Sequence, residues 1–372
     1  MSQGIIILSE DFGIGHKSVA NVMEQSLKRH VPDAIIRQYN PTSQVFPVML
    51  TCAKYAYFFT LRHFPKIWGT IYYGTNGLEV STRSRYIVDL FTEQFHRKQL
   101  ARVFYSYDPK IVICTHPFAQ ELAGIAFRNR SEVTMITIVT DYSAHRLWIA
   151  DRTDLYFVAD AAIKRQFVAM GVAENKIIVT GMPIDPKFDR PKSRKPQGQQ
   201  TLLVLGGGMG LNIDYQMVAT LAKRLQQTKI MIVCGKNRKL YEQLQHMTDD
   251  YENLHVLGFV NHMDELLDQA DLVVTKPGGV TIAECIAKQV PMVLTNPIPG
   301  QEEDNVKFLL EKQAGIYIER LYEEGMESVI DLLSDTDYLQ TVSSNMQQLL
   351  TRGAAQTCAQ IVGDLLKEPT IM

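Results

Sequence analysis

The chain has 372 residues, 46% apolar and 21% charged, with a formal net charge of −2. This is ordinary globular usage, which argues against a disordered or fibrous chain, and the length suits two domains. The halves differ in sign: residues 1–188 hold 21 Lys+Arg and 16 Asp+Glu, whereas 189–372 hold 17 and 24, so the first half is the one suited to an anionic surface.

Five scattered cysteines with no C-x-x-C spacing point to reduced, buried thiols rather than a disulfide frame or zinc site. The N-terminus enters a strand pattern directly, so no signal peptide is expected, and no run of about 18 uncharged apolar residues exists to span a membrane. No nucleic-acid partner is expected.

Ile5–Leu8 reads as the first strand, a turn follows through Gly13-Ile14-Gly15-His16, and Lys17 to His30 reads as a helix before a strand at Ala34–Arg37. This β-α-β start predicts a parallel sheet. Gly13-x-Gly15-x-x-Ser18 imitates a dinucleotide fingerprint, but the second strand ends Arg37-Gln38-Tyr39-Asn40 with no acid for an NAD ribose. The turn presents His16 at a helix N-terminus, where its cationic form is disfavoured. His16 is therefore either a neutral base or a capping or core histidine.

From Val45 to Tyr73 the chain is apolar and aromatic, dotted with Lys54, Arg62, His63 and Lys66. Such a segment either lies at a bilayer interface or forms a buried helical hairpin. Arg83, Arg85, Arg97, Lys98 and Arg102 follow as a basic face for an anionic leaflet or a solvated helix. Strands at Ile111–Cys114 and Glu132–Val139 end in Thr115-His116-Pro117-Phe118 and Thr140-Asp141-x-x-x-His145-x-x-Trp148. Polar residues past strand ends are where α/β folds keep their chemistry. Asp141 either orients His145, or is an N-cap beside a surface histidine. Gly181 opens a proline-rich linker that runs to Gln200 and marks the domain boundary.

The second half repeats the alternation. Thr201–Leu205 leads into Gly206-Gly207-Gly208-Met209-Gly210, which lacks the Lys-Ser/Thr of a Walker loop. Ile230–Val233 precedes Cys234-Gly235-Lys236-Asn237, and Val256–Val260 is a strand whose Phe259 either packs on a base or enters the core. Asp271–Val274 leads to Thr275-Lys276-Pro277-Gly278-Gly279-Val280-Thr281 and Glu284 on a helix through Lys288. A strand, a glycine turn and a helix start aim free N–H groups at an anion, with Thr281 able to reach a phosphate and Glu284 a ribose one turn on. The alternative is a plain strand-to-helix turn. Pro299-Gly300-Gln301-Glu302-x-x-Asn305 opens a helix with amides and carboxylates that read sugar hydroxyls or cap the helix. Asp335-Thr336-Asp337 is read as a helix start and not a metal motif.

Taken together, Gly13-x-Gly15-His16, Thr140-Asp141-x-x-x-His145-x-x-Trp148, Cys234-Gly235-Lys236-Asn237, Lys276-Pro277-Gly278-Gly279-x-Thr281-x-x-Glu284 and Pro299-Gly300-Gln301-Glu302-x-x-Asn305 resemble the processive diacylglycerol glucosyltransferases and monogalactosyldiacylglycerol synthases. These are relatives of the enzyme that adds N-acetylglucosamine to the peptidoglycan lipid precursor. The resemblance implies an α/β protein of two facing Rossmann-like domains, the GT-B plan: an acceptor and membrane-docking domain over 1–190, a nucleotide-sugar domain over 191–353, and a last helix from about 354 to 372 returning to the first domain.

By the same resemblance the reaction inverts the anomeric carbon without an obligatory metal or cofactor. Phe259 and Val260 hold the uracil, Glu284 the ribose, and Gly278, Gly279 and Thr281 the diphosphate; Gln301, Glu302 and Asn305 hold the sugar. Gly15, Gly208, Lys236, Asn237, Pro299 and Gly300 complete the donor set. His16 is the general base or an acceptor-orienting group, with Asp141 its rival. The implied partners are UDP-glucose or UDP-galactose, diacylglycerol or a related lipid, and the anionic inner face of the cell membrane. The alternatives are a UDP-sugar transferase with a soluble acceptor, a non-hydrolysing UDP-sugar epimerase, and a binding protein that has lost catalysis.

Overall fold

The computed structural model of the protein describes residues 4–10, 13–41, 43, 59–60, 64–77, 108–192, 198–207 and 213–367. Gly208, most of the apolar Val45–Tyr73 run and the basic residues from Arg83 to Arg102 lie outside the described residues. The chain divides into two compact units, Met1–Asp185 with Pro299–Gln301 and Gly353–Met372, and Pro186–Ile298 with Glu302–Arg352.

The first unit contains β1 (Gly4–Leu8), α1 (Ile14–His30), β2 (Ile35–Tyr39), α2 (Pro65–Gly77), β3 (Pro109–Cys114), α3 (Pro117–Ala126), β4 (Thr134–Ile138), β5 (Leu155–Val158), α4 (Ala161–Ala169) and β6 (Ile177–Val179). Its strands pair in parallel in the order β2-β1-β3-β4-β5-β6. All five residues of β1 are buried, which explains its unbroken Ile5-Ile6-Ile7-Leu8 spelling: a central parallel strand has no solvent face to alternate with. Helix α1 begins at Ile14, three residues before the expected Lys17. Extended Gly13 is its N-cap and makes no side-chain cap hydrogen bond, so the boundary left no polar mark in the sequence.

Residues 354–367 form the last helix of the chain and lie against α1. A Cβ at Gly363 would stand 2.8 Å from His30 Cδ2 and 3.1 Å from Val31 Cγ1. Gly363→Leu is therefore expected to push the two helices apart at a cost of about 1–3 kcal/mol. Thermal unfolding checks this, and an unchanged Tm would show that the contact yields without strain.

The second unit contains β7 (Thr201–Leu205), α5 (Tyr215–Arg224), β8 (Lys229–Val233), α6 (Arg238–Gln245), β9 (Leu254–Leu257), α7 (Met263–Gln269), β10 (Leu272–Thr275), α8 (Gly279–Lys288), β11 (Met292–Leu294), α9 (Gln301–Glu311, entering the unit at Glu302), β12 (Ile316–Tyr317), α10 (Glu323–Ser334) and α11 (Thr336–Leu349). In chain order the final helix, Ala354–Lys367, is then α12. The sheet order is β12-β11-β10-β7-β8-β9, again parallel. β12 is a two-residue edge strand that no periodicity could announce. Asp335 caps α11 by accepting from the Tyr338 amide at 3.0 Å, as its helix-start reading anticipates. The proline-rich linker is fastened to this unit by buried Lys288, which pairs with Asp268 at 2.9 Å and donates to the Arg190 carbonyl.

Candidate active site

Three strand ends in the first unit converge on His16. The residue lies in the first turn of α1, after β1, with Thr115 following β3 and Thr140 just beyond β4. Its Nδ1 is 2.8 Å from the Thr115 carbonyl oxygen and 2.8 Å from Thr140 Oγ1. A carbonyl can only accept, so Nδ1 carries the proton and Nε2 keeps its lone pair. The Thr115 hydroxyl in turn donates to the His16 carbonyl at 3.1 Å. Burial lowers the His16 pKa to about 4, against the upward pull of the Thr115 hydrogen bond. His16 is thus a neutral imidazole with one fixed tautomer at physiological pH.

The His116 ring stands edge-on to His16 with centroids 4.5 Å apart, and the Trp148 ring lies 6.3 Å away. His116 Nδ1 accepts from the Phe118 amide at the head of α3, and burial followed by the nearby His16 holds its pKa well below the usual range. Trp148 Nε1 donates to Asp141 Oδ2 at 3.1 Å.

The expected pairing of Asp141 with His145 is replaced by other contacts. His145 is buried, its Nε2 donates to the Tyr72 carbonyl at 3.0 Å, and its Nδ1 accepts from the Leu147 amide at 3.1 Å. With both ring nitrogens occupied, no ring direction remains for a carboxylate to orient. The surface-histidine alternative fails as well, because the Tyr72 ring stacks on His145 at 4.0 Å. Tyr72 also packs against Gly300, and Pro299 against Gly69 of α2, so Pro299–Gln301 belong with the first unit.

In the second unit the candidate donor residues gather at the C-terminal edge of the sheet. Gly278 is the N-cap of α8 and makes no side-chain cap hydrogen bond, so the first-turn amides keep their anion-binding directions. Thr281 lies in that first turn, and Glu284 follows three residues on, on the same helix face. Beyond β9, Phe259 is 56% exposed rather than in the core, and Lys236 beyond β8 sits 5.6 Å from its ring centroid. An exposed aromatic beside a cation is a surface on which a base can stack. Val260 is half-buried beside it. Asn237 caps α6, accepting from the Leu240 amide at 3.0 Å.

The residues expected around the sugar separate into two kinds. Gln301 is half-buried, while Glu302 is buried, with Oε1 on Lys276 Nζ at 2.6 Å and Oε2 on the Ile298 amide at 2.9 Å. Asn305 is fully buried and donates to the Pro277 carbonyl at 3.0 Å, which ties α9 to the glycine turn. Asn305→Ala would orphan that carbonyl and open a void, an expected loss of about 1–3 kcal/mol. Weaker UDP binding should accompany it, and calorimetry together with a thermal melt separates the two effects.

Thr115, His116, Thr140 and Trp148 were legible only as polar or aromatic residues near strand ends, and Lys276 only as part of a motif. Gly15 lies in the first turn of α1, half-buried beside His16.

The family model for monogalactosyldiacylglycerol (MGDG) synthase matches residues 16–184, and that for the glycosyltransferase family 28 C-terminal domain matches residues 201–358. A relative from Bacillus pumilus (strain SAFR-032), named processive diacylglycerol beta-glucosyltransferase, is 28% identical over 379 residues, covering 99% of this chain and 96% of its own. Among solved structures, Acinetobacter baumannii MurG superposes with a TM-score of 0.65 at 15% identity, over 98% of this chain and 100% of that one. The S. aureus MnaA–UDP structure gives 0.64 at 12% identity, over 98% of each chain. Two parallel six-stranded sheets with these neighbours make the fold GT-B. The chain thus joins a monogalactosyldiacylglycerol (MGDG) synthase domain, matched over residues 16–184, to a glycosyltransferase family 28 C-terminal domain, matched over residues 201–358.

Proposed function

We propose that the protein transfers a hexose from a UDP-sugar to diacylglycerol or a related lipid with inversion at the anomeric carbon. The observation that carries the reading is His16, whose Nδ1–H is anchored on the Thr115 carbonyl so that Nε2 stands ready to accept a proton. As the acceptor hydroxyl attacks, its proton moves to Nε2, the new C–O bond forms at the sugar carbon, and the bond to the β-phosphate oxygen breaks. The charge released on UDP is met by the uncapped amides of α8 and their dipole. In this reading no resident cofactor or metal is required. The name of the Bacillus pumilus relative makes UDP-glucose the first donor to test, with UDP-galactose beside it.

The lipid acceptor is favoured by α2 and its approach. Phe59, Phe64, Ile67 and Tyr73 are exposed, whereas Tyr72 on the same helix is buried. Four large apolar side chains exposed within a short segment, with the Phe59 and Phe64 rings 6.2 Å apart, suit attachment to a bilayer from the cytoplasmic side. Among the described residues no helix is long and apolar enough to cross a membrane.

The test is UDP release from UDP-glucose and UDP-galactose, with and without diacylglycerol in anionic mixed micelles. Lipid-dependent release with a matching glycolipid is the expected result. Equal release without lipid would favour a soluble acceptor or hydrolysis, and no release at all would favour the epimerase or binding-protein readings.

A further inference from the structure

Lys276 lies between β10 and α8, two residues before the N-cap Gly278 and three before the first of the uncapped amides. Its stem crosses the turn that follows β7. A Cβ built on Gly207 would stand 3.0 Å from Lys276 Cε, 3.6 Å from Cδ and 4.0 Å from Cγ. Gly207 has φ +63°, so glycine both permits this turn and leaves room for the lysine above it. The ammonium is 2.6 Å from Glu302 Oε1, and the two partners are unequally held. Glu302 keeps 5% of its side-chain exposure and is also tied to the Ile298 amide, whereas Lys276 keeps 25%. The carboxylate is the fixed member of the pair, and the ammonium is the one with a path to solvent. Lys236, another cation at this edge, lies over Phe259 instead.

We propose that Lys276 receives the diphosphate of the donor, with Glu302 holding its ammonium above the β7 turn until the nucleotide arrives. This rests on the UDP-sugar reading and adds to it the group that meets the leaving charge. When the sugar–oxygen bond breaks, the electron pair stays on the β-phosphate oxygen and adds one negative charge there. An ammonium drawn from a carboxylate to that oxygen binds the product UDP more tightly than UMP, which lacks the β-phosphate. It also gives Glu302 a role as the positioning residue of Lys276.

Calorimetric titration of the full chain with UDP and with UMP tests the assignment. The wild-type protein is expected to prefer UDP. Lys276→Met and Lys276→Gln should weaken UDP binding by about tenfold or more while changing UMP binding much less, so that the preference collapses. Lys276→Arg, which keeps the charge, should retain most of it. Thermal melts of both neutral variants identify any that fails to fold, and two chemically different replacements keep the comparison available. A folded neutral variant that still prefers UDP as strongly as the wild type would overturn the role of Lys276 and leave the UDP-sugar reading standing. If the wild-type protein binds neither nucleotide, the donor reading itself fails, and the assignment with it.

Discussion

His16→Ala is expected to lower turnover of UDP-sugar and lipid by about 10²- to 10⁴-fold, the usual contribution of a positioned general base, with UDP affinity little changed. The reason is geometric. Nδ1 is committed to the Thr115 carbonyl, so the ring can only accept at Nε2. The pH dependence carries a second expectation. With a pKa of about 4, His16 is unprotonated throughout the neutral range. The acid limb of kcat/KM should therefore lie near pH 4, well below the usual histidine value of about 6.5. A limb centred near 6.5 would mean that the imidazole is solvated in the working enzyme. Near-normal turnover in His16→Ala, with loss in Asp141→Ala, would transfer the role to the carboxylate that now accepts from Trp148.

The same shift links His16 to stability. Its folded pKa lies below its unfolded one, so between about 6.5 and 4 the unfolded chain binds more protons. Stability is fully present above pH 6.5 and falls as pH drops towards 4, by up to roughly 3 kcal/mol from this residue. A His16→Gln variant should lose that part of the slope in a series of thermal melts, and an unaltered slope would assign it to other groups.

Gly300→Val is expected to cost several kcal/mol and to abolish activity under conditions where the wild type is folded. Two penalties add. Gly300 has φ +94°, a backbone conformation that β-branched residues avoid at a cost of about 1–3 kcal/mol. A Cβ there would also stand 2.5 Å from Tyr72 Cγ and Cδ1, well inside van der Waals contact. Tyr72 cannot easily withdraw, because its ring stacks on His145 and its carbonyl accepts from His145 Nε2. Overpacking such a site costs about 1–3 kcal/mol more. Comparison with Gly300→Ala and with Gly300→Val in a Tyr72→Ala background separates the terms: relief on removing the Tyr72 ring shows the clash, and what persists shows the backbone strain. Full relief in the double variant would mean that the positive φ is not strained.

Much of the architecture was readable without coordinates. The runs Ile5–Leu8 and Leu272–Val274 announce central parallel strands because a strand covered on both faces is apolar throughout. Glycine turns after strands announce ligand-facing edges, since a parallel sheet collects its chemistry at the C-terminal ends of its strands. His16 and the Gly278–Glu284 stretch were singled out this way, and Phe259 as the end of a strand pattern. The start of α1 was misplaced because Gly13 carries no capping side chain, and β12 was missed because two residues have no period.

What the sequence could not decide was pairing between distant residues. Asp141 and His145 are four apart in the chain, yet their hydrogen bonds go to Trp148, Tyr72 and Leu147. Glu302 and Asn305 share a motif with Gln301, yet folding turns the first onto Lys276 and buries the second beneath Pro277. Residue type and spacing determined that this protein is built of parallel α/β layers and which strand ends carry its polar groups. Only the tertiary structure decided which of those groups stay exposed at the strand ends and which hold one another, because a buried polar group pairs with whichever partner the packing brings within hydrogen-bonding distance.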